Sequence, residues 1–157
     1  MGRYEIIWEN DKSLKISGTI DENFVFDDTV AKFGSEVTID LRGVERINSC
    51  GVREWIKAIL KSEAKISFIN CSSVIVSQFS MIPEFLGRYG VVKSFETQFV
   101  CDNCGFEDAK ILEVGKDIQP GLELYEDGPE IECSECGETM ECDHNPELYF
   151  SFLSDVS

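Results

Sequence analysis

The sequence predicts an α/β fold with a partly parallel sheet, followed by a small β-rich unit. Strand-like and helix-like segments alternate from residue 37 onward, which is typical of helices packed against a parallel sheet. Two Cys-x-x-Cys-Gly units lie in the last third of the chain, and acidic residues are concentrated in the same region. We therefore expect two domains, residues 1–99 and residues 100–157.

Two strand-like runs open the chain. "RYEIIWEN" and "SLKISGTID" are separated by "DK", which is the spacing of a β-hairpin. The continuous apolar run "EVTIDLRGV" is typical of a strand that is buried on both faces. A helix follows, because its apolar residues recur with the i, i+3, i+4, i+7 spacing of one stripe. These residues are Val52, Trp55, Ile56 and Ile59.

The next segments continue the alternation. "KISFINC" predicts a strand, and "SSVIVSQFSMI" predicts a helix that is capped by Ser72 or Ser73. "GVVKSFETQFV" then predicts one last strand, which runs directly into Cys101. Near the end of the chain, "NPELYFSFL" predicts a short helix with Asn145 as its cap and Pro146 as its first residue.

The charge distribution separates the two predicted domains. Residues 1–100 contain 12 Lys and Arg against 14 Asp and Glu, whereas residues 101–157 contain 2 against 16. We expect no nucleic-acid ligand for the second part, because phosphate binding requires positive charge. The apolar runs are far shorter than the ~18 residues of a membrane-spanning helix, and the N-terminus lacks a signal-peptide core. We therefore expect a cytoplasmic protein with no membrane partner.

One passage of the first domain carries a family resemblance. "VTIDLRGVERINSCGVREW" contains an apolar strand with Asp40 and Leu41, followed by residues 48–51 at the start of a helix. Upstream, "ISGTID" contributes Gly18 and Asp21. This combination resembles the core signature of STAS domains, the family of anti-sigma-factor antagonists. The resemblance extends over nearly all of the first predicted domain.

The resemblance implies a sheet of about five strands with helices largely on one face. It also implies a partner-binding loop, formed by Asn48, Ser49, Cys50 and Gly51, in which Ser49 is phosphorylated. The implied partners are a serine kinase or anti-sigma factor of the histidine-kinase-like ATPase class and a PP2C-type phosphatase. This chain departs from the family pattern, because Asn48 replaces an aspartate and Cys50 replaces a serine or threonine.

The residues alone leave two interpretations of Ser49. We expect it just before a helix, where its hydroxyl would accept a hydrogen bond from an amide of the first turn. A phosphate there would meet free amides and the positive end of the helix dipole. Ser49 is thus either a simple cap on a constitutive binding surface or a phosphorylation switch. We expect no enzyme, since Cys50 lacks an activating base and the single histidine, His144, is distant in sequence.

The two Cys-x-x-Cys-Gly units predict a structural metal site. Cys101 and Cys104 in one unit and Cys133 and Cys136 in the other provide four sulfur atoms, the tetrahedral set that Zn²⁺ prefers. The units are typical of a zinc ribbon, in which "AKILEVG", "GLELYE" and "ETMECD" would be strands.

Other interpretations of the cysteines remain at this stage. Iron in a rubredoxin-like site uses the same ligands as zinc. Disulfides or redox pairs are not expected, because the chain has an odd count of seven cysteines and no sign of secretion. Cys142 and His144 are spare candidates that we leave outside the site.

Together these features predict a non-catalytic signalling or scaffold protein. It would act by protein–protein contacts through the Ser49 loop, as an anti-sigma-factor antagonist, with structural Zn²⁺ in its acidic second domain. Two alternatives remain: a zinc-ribbon adaptor for the transcription machinery, and a STAS module that senses a small ligand.

Overall fold

The structure is a computed structural model that describes residues 3–117 and 130–143 together with Tyr149 and Phe152. Within these residues the fold is mixed α/β, as the sequence predicted. They form a five-stranded mixed sheet with three α-helices and a separate four-stranded antiparallel sheet.

The strands of the five-stranded sheet lie in chain order. They are β1 (Tyr4–Asn10), β2 (Ser13–Ile20), β3 (Glu36–Ile47), β4 (Lys65–Ile69) and β5 (Gly90–Val92). β1 and β2 form the predicted antiparallel hairpin, whereas each step from β2 to β5 joins parallel neighbours. Parallel neighbours require crossover connections, and these connections contain the helices.

Four helical segments occupy the crossovers. They are α1 (Asp27–Val30), α2 (Ser49–Ile59), α3 (Ser73–Met81) and a 3₁₀ helix (Pro83–Leu86). α3 ends just before Pro83, since proline cannot supply the amide that continues a helix. Ser72 is the N-cap residue of α3, but its side chain forms no capping hydrogen bond.

The five-stranded sheet buries one face. Side chains alternate between the two faces of a strand, and the residues aligned across the buried face are Leu14, Ile39, Phe68 and Val92. On the other face Lys15 is exposed and Asp40 is half-buried. The helices therefore cover one face. The expectation that β3 is buried on both faces is wrong, because its alternate residues are polar.

Trp55 lies at the centre of the core and fixes α2 against the sheet. Its fully buried ring stacks on Phe26 and Phe85, with centroid distances of 4.7 and 4.6 Å. Its Nε1 donates a hydrogen bond to the carbonyl oxygen of Phe85 at 2.8 Å. The buried polar group is therefore satisfied, and the contact holds α2 against the 3₁₀ helix.

The second sheet has the strand order β7-β6-β9-β8. Its strands are β6 (Ser94–Val100), β7 (Glu107–Glu113), β8 (Ile131–Glu132) and β9 (Thr139–Cys142). The single last strand predicted for "GVVKSFETQFV" is in fact two strands, β5 in the first sheet and β6 in the second. The predicted boundary between residues 99 and 100 therefore falls inside β6. A parallel bridge between Cys71 and Phe95 connects the two sheets.

The remaining predictions for the second domain have mixed outcomes. β7 and β9 confirm the predicted strands "AKILEVG" and "ETMECD", whereas "GLELYE" lies outside the described residues. Asn145 and Pro146, at the start of the predicted last helix, also lie outside them. Tyr149 is helical and buried, and Phe152 is buried against Phe95 at a ring distance of 5.1 Å. Tyr149 and Phe152 thus pack on β6.

Candidate functional site

Four cysteine side chains converge beside the second sheet. One pair lies in the turn between β6 and β7, and the other lies in the turn between β8 and β9. Their sulfur atoms all lie within 4.8 Å of one another. The four residues are the predicted ones, Cys101, Cys104, Cys133 and Cys136.

The distances between these sulfur atoms suit one shared ion. Cys101 Sγ lies 3.5 Å from Cys136 Sγ, and Cys104 Sγ lies 3.6 Å from Cys133 Sγ. All four cysteines are free thiols, since a disulfide would need about 2.05 Å between sulfurs. An ion at ~2.3 Å from four tetrahedral sulfurs separates them by about 3.8 Å. The cluster therefore fits a tetrahedral metal ion.

Both cysteine turns have the same backbone conformation. In the first turn the Gly105 amide donates to the Cys101 carbonyl at 2.7 Å, and in the second the Gly137 amide donates to the Cys133 carbonyl at 2.9 Å. Gly105 and Gly137 have φ angles of 78° and 80°, in the left-handed region that favours glycine. The glycine after each second cysteine is therefore required by the turn.

The thiols of the cluster differ in proton affinity. Asn103 Nδ2 donates to Cys136 Sγ at 3.5 Å, and this bond together with the Glu138 amide lowers the pKa of Cys136 to about 7. At Cys104 the Phe106 amide also favours a lower pKa. Desolvation and the neighbouring thiols outweigh this effect, and they raise the pKa of Cys104 to about 12. Thiols this close titrate as a group. A bound cation would favour the thiolate form of all of them.

The ligand set suits a structural ion. Cys101 and Cys133 are buried, whereas Cys104 and Cys136 are exposed. A site with four thiolate ligands leaves no open position for water, which catalysis would need. Cys142 lies on β9 as the register partner of Phe99. His144 lies outside the described residues.

The predicted partner-binding loop lies where β3 ends and α2 begins. The cap of α2 is Asn48, because its Oδ1 accepts a hydrogen bond from the Gly51 amide at 2.9 Å. The expectation that Ser49 caps the helix is wrong, since Ser49 is already the first helical residue. Asn48 has the extended backbone of a cap, with φ −115° and ψ 176°. The Ser49 hydroxyl is therefore not used for capping.

Three of the four loop residues lie on the surface, and the fourth packs against the end of β2. Asn48, Ser49 and Cys50 are exposed, whereas Gly51 is buried. A Cβ atom on Gly51 would lie 2.1 Å from the carbonyl oxygen of Ile20. The first turn of α2 therefore packs directly on the end of β2, and glycine is required by this close approach.

A cavity of about 640 Å³ adjoins the loop. Its lining includes Asp21 at the end of β2, and Glu45, Arg46 and Asn48 at the end of β3. Arg46 is exposed, and it adds a positive charge to the lining of this cavity.

Two residues of these sites were not identified from the sequence. Glu22 Oε2 accepts a hydrogen bond from Asn48 Nδ2 at 3.1 Å, although the two residues are 26 positions apart. Only tertiary packing reveals this contact, because no local pattern links the two segments. Asn103, which contacts Cys136, was only weakly indicated by the sequence, through its position between the first two cysteines.

Comparison with known proteins adds no family assignment. No family model, no curated protein and no solved structure matches this chain. Among the described helices, none combines the length and apolar character needed to cross a membrane.

Proposed function

We propose that this chain is a non-catalytic signalling protein of the STAS type that binds another protein through its Ser49 loop. Phosphorylation of Ser49 by a serine kinase of the histidine-kinase-like ATPase class, and its reversal by a PP2C-type phosphatase, would switch that contact. The mixed sheet with helices on one face agrees with the STAS resemblance. The support for function comes from the site and not from the fold, since one fold serves many functions.

The observation that carries this proposal is the exposed Ser49 hydroxyl at the first position of α2. Asn48 caps the helix, so a modifying enzyme would not have to break a capping bond to reach Ser49. The amides of the first helical turn have no acceptors within the helix. A phosphate on Ser49 would therefore meet the positive end of the helix dipole while changing the surface by about two charges.

Capture of partners from the native cell tests the proposed switch. We expect the wild-type protein and Ser49→Ala to retain one set of proteins and Ser49→Asp to lose or exchange at least one member. Ser73→Asp is the matched control, because Ser73 is the first residue of α3. The switch is refuted if all four proteins retain the same partners.

We further propose that the four-cysteine cluster binds structural Zn²⁺. The donor set supports this assignment, since four thiolates at tetrahedral spacing are a common zinc site. Metal analysis of the purified protein should give one zinc per chain and no visible absorption. A red protein with one iron per chain would instead assign the cluster to iron.

A further inference from the structure

Glu22 is the acidic residue that contacts the Ser49 loop. It lies just after β2, and its Oε2 accepts a hydrogen bond from Asn48 Nδ2 at 3.1 Å. The other end of the same amide, Oδ1, accepts from the Gly51 amide at 2.9 Å. One side-chain amide thus connects a carboxylate to the first turn of α2.

The Gly51 amide and the Glu22 carboxylate together fix which way the Asn48 amide points. A side-chain amide has a donor end and an acceptor end, whereas an ionised carboxylate only accepts. Beside Glu22 only the nitrogen end is compatible, and this leaves Oδ1 free to cap the helix. Donation from its own backbone amide, and then from Asn48, lowers the pKa of Glu22. The carboxylate is therefore ionised at neutral pH.

This contact explains why asparagine suits position 48. An aspartate there could still cap the helix, but it would place a second carboxylate within hydrogen-bond distance of Glu22. Two like charges so close repel each other. The loop therefore takes its negative charge from Glu22 and its cap from Asn48.

We infer that Glu22 is the positioning residue of the Ser49 loop: it holds the Asn48 amide in its capping orientation and makes that orientation sensitive to negative charge on Ser49. The biological meaning of this sensitivity rests on the proposed function. A phosphate on Ser49 would lie one residue from Asn48 and would repel the ionised Glu22 carboxylate. The contact between Glu22 and Asn48 would weaken, and the exposed surface of the loop would change.

Nuclear magnetic resonance tests the contact directly. The side-chain amide signals of Asn48 should shift as the pH falls below about 4.3, the ordinary Glu value, since the pKa of Glu22 is lowered. Glu22→Gln should abolish this shift, and Glu5→Gln, which removes an exposed acid on β1, should leave it unchanged. An Asn48 signal that does not titrate, or that titrates equally in Glu22→Gln, overturns the inference.

A double-mutant cycle tests the charge sensitivity. Ser49→Asp should lower the folding equilibrium constant more when Glu22 is present than in the Glu22→Gln background. The two effects should differ about two- to threefold, as for neighbouring like charges on a surface. Ser73→Asp should have the same effect in both backgrounds. Equal effects of Ser49→Asp in the two backgrounds overturn the coupling.

The NMR titration of Asn48 and the capture of partners together separate this inference from the proposed function. If Asn48 titrates with Glu22 but capture does not depend on Ser49, the positioning role is supported and the switch fails. If capture depends on Ser49 but the Asn48 signals do not shift as Glu22 titrates, the switch is supported and the positioning role of Glu22 is overturned.

Discussion

The two sheets of this protein are stabilised by different means. Against the buried face of the first sheet, four phenylalanine rings lie with centroids between 4.6 and 6.2 Å from the ring of Trp55. They are Phe24, Phe26, Phe68 and Phe85. In the second sheet β8 has two residues and β9 has four, and two of the four clustered cysteines are exposed. The first sheet is therefore held by buried rings, whereas we expect β7, β8 and β9 of the second to depend on a metal ion in the cysteine cluster.

This difference follows from composition. Residues 101–157 carry 16 acidic residues against 2 lysines, and their mutual repulsion opposes a compact state. A zinc ion bound by four thiolates contributes on the order of 10 kcal/mol in small modules and can offset that cost. The two regions are nevertheless joined, because Phe95, Phe99 and Phe152 belong to the same buried cluster as Trp55.

Metal removal should have the largest effect and should affect the two sheets unequally. Chelation, or Cys104→Ser, should remove up to about 10 kcal/mol of stabilisation from the second sheet and unfold β7, β8 and β9. Hydrogen exchange of backbone amides measures this, with Cys142→Ser as the control. Unchanged protection in these strands after complete removal of the metal would contradict a metal-dependent sheet.

Removal of the Trp55 ring should destabilise the first sheet and leave the metal site of the second intact. We expect Trp55→Ala to lower the free energy of unfolding by about 3–5 kcal/mol, because it leaves a large cavity and an unpaired carbonyl at Phe85. Urea denaturation followed by circular dichroism measures this loss. Binding of one metal ion per chain should persist in the folded variant, and loss of that binding would show that the second sheet depends on the first.

A methyl group at the start of α2 should have a smaller effect. We expect Gly51→Ala to cost about 1–3 kcal/mol, because the added Cβ would overlap the Ile20 carbonyl. Gly34→Ala is the control, since no atom in the described part of the chain lies within 4 Å of the Cβ it would add. Thermal unfolding of both variants measures the difference, and equal melting temperatures would contradict the close packing of α2 on β2.

The hydroxyl of Tyr149 joins the last described part of the chain to the second sheet, because it donates a hydrogen bond to the Glu96 carbonyl. Its loss in Tyr149→Phe should cost about 1 kcal/mol. Burial, and then the nearby charge of Glu96, raises the pKa of Tyr149. The unfolded chain therefore loses this proton first, and stability should fall as the pH rises above about 10, the ordinary tyrosine value.

The loss of stability at high pH should be smaller in Tyr149→Phe, which has no phenol at this position. Urea denaturation between about pH 8 and 11 measures the difference, since this interval spans the ordinary tyrosine pKa. The same pH dependence in both proteins would assign it to other groups.

The two helix caps should give the smallest effects. Asn48→Ala should cost about 1 kcal/mol, because the Gly51 amide loses its acceptor. Ser72→Ala should be neutral or slightly stabilising, since the buried Ser72 hydroxyl has no hydrogen-bond partner among the described residues. Chemical denaturation of the two variants compares the caps, and a larger loss for Ser72→Ala would contradict the described capping.

Several features could be predicted from the sequence because their signals are local. The alternation of strand and helix predicted the α/β class, since each period reflects the geometry of one element. The spacing of Cys101 and Cys104, repeated at Cys133 and Cys136, predicted the cluster because two intervening residues form a tight turn.

Other features could not be predicted, because they depend on contacts between distant segments. The run through Lys93 reads as one strand, yet β5 and β6 belong to different sheets, since pairing partners and not propensity assign a strand. The cap of α2 was predicted one residue too late for a similar reason. Both Asn48 and Ser49 can cap a helix, and in the structure Asn48 accepts the hydrogen bond from the Gly51 amide and also contacts the distant Glu22.

The sequence by itself determined where strands and helices alternate, which two cysteines share each turn and where negative charge accumulates. These properties depend on residues that are a few positions apart. The tertiary structure alone decided that β5 and β6 belong to different sheets, that Asn48 caps α2 in place of Ser49, and that Glu22 contacts Asn48. Each of these results depends on the distance between chain segments that packing brings together, and no local pattern encodes that distance.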